Sequence, residues 1–206
     1  MTAPAIGRPY VAERQVEYWS SRQVEDFFWD LGYECLSFPI SQKAEQLIPA
    51  DFIFQPNDTL KLFGLQYKVL YRGNPDYWQI DAVQRLQVAK FSWIYYALSD
   101  LRAARDLRAA LHAMRIAAPA PSPGNLAISK FTPPAYMRWW AFFEQLRTCQ
   151  AGLRVRTRDE FSDAFRPVID SPLARREADN AADVLLLSTG LSRVLRFTTQ
   201  MPDFER

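Results

Sequence analysis

Between residues 16 and 31 the apolar positions Val16, Trp19, Val24, Phe27, Phe28 and Leu31 recur at helical spacing, and Gly32 stands where a helix would end. This pattern predicts an amphipathic helix. Residues 33–40 read as a short strand closed by Pro39, and residues 41–49 as a connecting loop. Two β-rich runs, 51–55 and 60–70, flank the turn formers Pro56-Asn57-Asp58-Thr59, which is a hairpin signal. Arg72-Gly73-Asn74-Pro75 interrupts the pattern. Residues 78–88 then read as a short helix, 91–98 as a buried strand and the alanine- and arginine-rich stretch 101–116 as a helix. A proline-rich break covers 117–124. Beyond it, residues 133–150 carry Met137, Trp140, Phe143 and Leu146 on a helical stripe, 159–180 are polar and uneven, and apolar runs in 184–197 suggest paired strands.

The hairpin concentrates the chemistry. If residues 56–59 form its loop, Gln55 pairs with Leu60 and Asp51 falls opposite Gly64, so that Gly64, Gln66 and Lys68 share a sheet face with Asp51. Phe63, Leu65, Tyr67 and Val69 line the other face with apolar surface for helices to cover. A one-residue slip in loop length would send Asp51 to that opposite face. Taken singly, Asp51 is also an ordinary turn residue, Lys68 a snorkelling strand residue and Gln66 a common polar strand position. Their convergence is what sets them apart.

Composition narrows the classes. At 206 residues, 49% of them hydrophobic, the chain can bury one substantial core, so it is expected to fold as a globular protein. Net charge is only +2, and the basic residues are nearly all arginine, which suits phosphate contacts without requiring them. Cys35 and Cys149 lie far apart with no Cys-x-x-Cys, which argues against a zinc ribbon or a disulfide framework. No apolar run reaches the roughly 18 residues that span a bilayer and no signal-peptide pattern is visible, so a cytoplasmic protein is expected. His112 is the single histidine, which leaves no multi-histidine metal site and makes a histidine-based triad improbable. There is no Gly-rich phosphate loop followed by Lys-Ser/Thr. Gln84 and Gln87 are expected on a solvated helix face. Tyr136, Trp139, Trp140 and Phe142 read as core or partner interface more readily than as a base-stacking set.

With these residues in view, the sequence resembles the PD-(D/E)XK nuclease superfamily. Pro49-Ala50-Asp51-Phe52-Ile53 looks like its first acidic motif, Gln66-Tyr67-Lys68 like its second, and Glu25-Asp26-Phe27-Phe28 like the acidic helix before them. The resemblance covers roughly the first half of the chain and implies an α/β fold with a restriction-endonuclease-like α-β-β-β-α-β core, a mixed central sheet flanked by helices. A nuclease-like core is expected over 1–116, a proline-rich connection over 117–132 and a helix-and-strand extension packed on the core over 133–206. There are two departures, Ala50 between proline and aspartate, and Gln66 where a carboxylate is commoner. An amide oxygen still suits Mg²⁺ but contributes no charge. The resemblance further implies that Asp51 and Gln66 bind Mg²⁺ or Mn²⁺, that Glu25 completes the site, with Glu17 the competing position, and that Lys68 orients or deprotonates the attacking water. The expected activity is metal-dependent hydrolysis of nucleic acid, DNA before RNA, in prokaryotic anti-phage defence, with a protein partner or homodimer. The alternative is a catalytically inactive nuclease-fold subunit for nucleic-acid binding or complex assembly.

Overall fold

The apolar stripe of the first helix is realised in α1, Glu13–Asp30, which buries Val16, Ser20, Ser21, Val24 and Phe28. In this computed structural model, which describes residues 7–40, 45, 46, 48–56, 61–118, 124–154, 160 and 163, the helix ends in a Schellman arrangement. The Tyr33 amide donates to the Phe28 carbonyl and the Gly32 amide to the Trp29 carbonyl. Gly32 holds φ +83, a conformation that a side chain would oppose.

The strands that follow build a mixed sheet. β1 (Cys35–Pro39), β2 (Phe52–Pro56) and β3 (Lys61–Lys68) pair antiparallel in sequence. The chain then crosses over to β6 (Ile94–Ser99), which lies parallel to β3, and β7 (Met114–Ala117) adds antiparallel to β6, giving the order β1-β2-β3-β6-β7. A parallel neighbour needs such a crossover. Here it carries β4 (Leu70–Tyr71), β5 (Tyr77–Ile80) and α2 (Ala82–Val88). β8 (Gly124–Ala127) joins β4 and β5 in a second, three-stranded sheet. α3 (Trp139–Arg147) and the two-residue β9 (Leu153–Arg154), paired to the start of β3, follow.

Both faces of the main sheet are covered. α1 and α3 pack Phe28, Trp139 and Phe142 against Phe54, Phe63 and Leu65 on one side. On the other, Val88, Trp93 and Trp78 meet Ile53, Leu62 and Ile94. Gly64 sits where the layers are closest: a methyl group there would lie 3.0 Å from the Ile94 side chain and 3.2 Å from the Ala50 methyl. Packing therefore accounts for this glycine.

Several sequence expectations differ from the structure. The helix expected over 78–88 begins only at Ala82; Tyr77–Ile80 is a strand, and Asp81 caps the helix by accepting from the Gln84 amide at 2.8 Å. The stretch 101–116 is not a continuous helix but a 3-10 segment, Ala104–Ala109, followed by β7. Within the connection over 117–132, Gly124–Ala127 forms β8, which pairs along all of β5. The helix expected from residue 133 starts at Trp139. The polar stretch 159–180, apart from Glu160 and Asp163, and the strand pair expected in 184–197 lie outside the described residues.

Candidate functional site

The site forms where β2 and β3 part. The strands pair Phe52 with Leu65, Ile53 with Gly64 and Phe54 with Phe63, a register that brings Asp51 opposite Gln66, not Gly64. The displacement from the expected pairing is two residues. Because side chains alternate with period two, Asp51 and Gln66 still share a face.

The Asp51 amide makes the last strand-type bond, to the Leu65 carbonyl at 2.9 Å. One step further along β3, the Tyr67 amide meets the Asp51 carboxylate instead, donating to Oδ2 at 2.6 Å. The same oxygen accepts from Gln66 Nε2 at 2.9 Å. Gln66 is 1% exposed, and with its amide nitrogen committed to Asp51 its Oε1 is buried with no hydrogen-bond partner. An orphaned buried acceptor is costly, on the order of 1–3 kcal/mol. Lys68, two residues further on, extends Nζ to Glu13 Oε1 at 3.4 Å.

Carboxylates crowd this corner. Burial first, and then the charge of Glu17, push the Asp51 carboxyl up to about 8, with Glu45 adding to the rise; Lys68 and the Tyr67 amide oppose it. Glu17 is itself raised, by burial and then by Glu13, against the opposing charges of Arg14 and Lys68. Like charges held together in a poorly solvated pocket disfavour ionisation, and a bound cation would reverse that preference. Glu45 accepts from Gln84 Nε2 at 2.9 Å, which ties the loop before β2 to α2. Gln84, expected to be solvated, is thus half-buried against Glu45, and its own Oε1 is buried without a partner.

Asp51, Gln66 and Lys68 come together here. Glu25 does not: it accepts from the Ser37 hydroxyl on β1 and lies 3.7 Å from Arg22. At 1.5 Å rise per residue, its backbone is about 12 Å along the helix axis from Glu17. Glu17 occupies the place expected of Glu25. A readable signal existed, since the buried stripe of Phe28, Val24 and Ser20 continues backward through Glu17 and Glu13 at helical spacing. Nothing in the sequence marks Glu45. His112 is exposed.

Among the described residues, no three His, Cys, Asp or Glu side chains are grouped tightly enough to hold a metal ion. The donors adjacent at the strand parting are the Asp51 carboxylate and the Gln66 amide oxygen. Both are hard oxygen donors of the kind Mg²⁺ takes, and the unpartnered state of Gln66 Oε1 fits such a ligand. No family model, curated protein or solved structure matches the chain significantly.

Proposed function

We propose that this domain is a divalent-metal-dependent nuclease of the PD-(D/E)XK type that hydrolyses phosphodiester bonds in DNA. The observation that carries the reading is the Asp51–Gln66 contact at the parting of β2 and β3, with Lys68 two residues further along the same strand. The order α1-β1-β2-β3-β4-β5-α2-β6, with β6 parallel to β3, supports it, because apart from the inserted β4 and β5 of the second sheet it follows the α-β-β-β-α-β arrangement of that superfamily.

Electrostatics favour a metal over a bare phosphate site. Glu13, Glu17 and Glu45 outnumber Lys68 and Arg14 even with Asp51 protonated, so an anionic diester would be repelled from this corner unless a cation entered with it. Asp51 and Gln66 Oε1 would hold Mg²⁺ or Mn²⁺, with Glu17 contributing the negative charge that Gln66 lacks. Such an ion acidifies bound water and neutralises charge developing on the phosphorus oxygens. Lys68, released from Glu13, would steady the attacking water and the phosphate oxygen. Tyr67 and Gln66 fix the Asp51 carboxylate through its Oδ2, so it needs no rearrangement to act. A role in prokaryotic defence, a cytoplasmic location and a protein partner or homodimer rest on the family resemblance alone.

One observation favours a second reading, a nuclease fold without catalysis that binds nucleic acid or assembles a complex: Lys68 Nζ contacts Glu13 rather than Asp51. Incubating the protein with plasmid, single-stranded DNA and RNA in Mg²⁺ or Mn²⁺ separates the two. Metal-dependent cutting lost in folded Lys68→Ala and Asp51→Ala supports the enzyme. Cutting that survives both variants removes the assigned site, and no cutting on any substrate favours the binding subunit.

A further inference from the structure

We infer that the outer face of the three-stranded sheet β4-β5-β8 is a docking surface for an unpaired polynucleotide strand, feeding the site at Lys68. The inference rests on the nuclease reading for its purpose but not for its test.

The sheet begins two residues after Lys68, so the backbone leads directly from the site onto it. Strand alternation sorts its side chains cleanly. Leu70, Trp78 and Leu126 face one another across the sheet on the core side. Tyr71, Tyr77 and Ala127 form the corresponding row on the other side, all three half-buried, with Tyr71 also packed against the core and bridged by Pro9 beyond β4. The next outer row pairs the exposed Gln79 and Asn125.

Two features of this face suit nucleic-acid bases. The Tyr71 and Tyr77 rings are stacked, with centroids 5.6 Å apart and planes at 13°. The Gly7 amide donates to the Tyr77 hydroxyl at 2.9 Å, which anchors that ring before any ligand arrives. Gln79 and Asn125 add side-chain amides, which both donate and accept as base edges require. A flat sheet face with aromatic rings and amides can stack and edge-read only bases whose faces are free, which a duplex conceals.

The phosphate-binding component lies along the same edge. Arg8 and Arg72 are exposed and linked through their backbones, the Arg72 amide donating to the Arg8 carbonyl at 3.1 Å. Among the described residues neither guanidinium forms an ion pair, and that of Arg72 lies over the Tyr10 ring, 4.9 Å from its centroid. The nearby carboxylate of Asp76 is instead engaged by Arg102 at 2.9 Å and by the Tyr10 hydroxyl. A basic, aromatic surface beside an acidic pocket divides the work: one part holds the strand, the other would hold the cation.

The test is fluorescence anisotropy in EDTA, where no turnover can occur, with a labelled oligothymidylate of about 20 nucleotides and a duplex of the same length. The strand is expected to bind at least about tenfold more tightly than the duplex, and Tyr71→Leu to weaken strand binding about tenfold while retaining apolar bulk. Arg72→Ala, at an exposed position, should weaken binding and reduce the salt dependence by about one phosphate contact. Duplex affinity equal to that of the strand, or strand affinity unchanged in both variants, overturns the inference. The two readings fail separately. Strand binding without metal-dependent cleavage would remove the nuclease and keep the surface, whereas cleavage without strand preference would remove the surface and keep the nuclease.

Discussion

Two lysines stand at opposite ends of β3 and show how differently one residue type can be used. Lys61, at the start, is 4% exposed, and its Nζ is buried with no hydrogen-bond partner. It lines a small apolar cavity with Phe28, Tyr33, Phe143 and Leu146. Lys68, seven positions later, reaches Glu13 beside Asp51 and Glu17. The strand is common to both, and the difference comes from what covers each end. The last turns of α1 and α3 lie over Lys61, and Arg147 lines the same cavity, so among the described residues no carboxylate faces Lys61 there. The first turns of α1 bring Glu13 and Glu17 over Lys68. A buried charge alone is therefore no mark of a site. The nuclease reading places the site at the other end, where opposed charges lie beside the orphaned Gln66 oxygen.

The largest expected effect breaks this symmetry outright. On the nuclease reading, Lys68→Ala should lower metal-dependent cleavage by about a thousandfold, since it removes the cation that shares a strand face with Asp51 and Gln66. Lys61→Met should leave the cleavage rate within about twofold, because its ammonium is enclosed by the opposite layer. Equal losses in the two variants, with both folded, would show that the end of β3 holds no privileged chemistry.

A second test reads the acidic corner through stability. The folded-state pKa of Asp51 is raised to about 8, above its unfolded value, so between about pH 4 and about pH 8 the folded protein binds more protons than the unfolded chain. The sign follows: for this group, stability is highest at the acidic end and falls as pH rises. Thermal melts in EDTA should show wild type losing stability across that window relative to Asp51→Asn, by a few kcal/mol in total. Added Mg²⁺ should stabilise wild type more at the alkaline end, where the carboxylate is ionised. Parallel melting curves for the two proteins would mean that Asp51 is well solvated.

At the other end of the strand, Lys61→Met should raise stability by about 1–2 kcal/mol. It replaces an unpaired buried ammonium with an apolar chain of similar length. Chemical denaturation measures it, and a loss of stability would mean that the helix ends hold the ammonium more firmly than apolar contact would.

The comparison also explains what was legible in the sequence. Asp51 and Gln66 could be placed on one face from period-two alternation alone, and the true register, two residues displaced, preserves that face. Residues 101–116 misled because alanine and arginine favour helix in isolation, whereas Met114–Ala117 is claimed by the edge of β6. For 77–80, the alternation of buried Trp78 and Ile80 with Tyr77 and Gln79 was readable, but the helical pattern after Asp81 was extended over it. Glu45 was not legible, because its place depends on how the loop before β2 folds back onto α2.

Glu17 and Glu25 present the same limit within one element. Both lie on α1, and sequence spacing cannot say which turn of a helix crosses the end of a strand. The axial position of α1 on the sheet decides it, set by Val24 and Phe28 packing against the sheet and by the termination at Gly32. Glu17→Gln should therefore reduce cleavage about tenfold at limiting Mg²⁺, with much of the loss recovered at high Mg²⁺, because a lost negative charge weakens cation binding before it affects the reacting groups. Glu25→Gln keeps an acceptor for the Ser37 hydroxyl and should leave both rate and metal dependence unchanged. Metal titrations of the cleavage rate for the two variants decide between them. A shifted titration in Glu25→Gln and an unshifted one in Glu17→Gln would return the acidic partner of Asp51 to the middle of the helix and require α1 to slide by about two turns along the sheet.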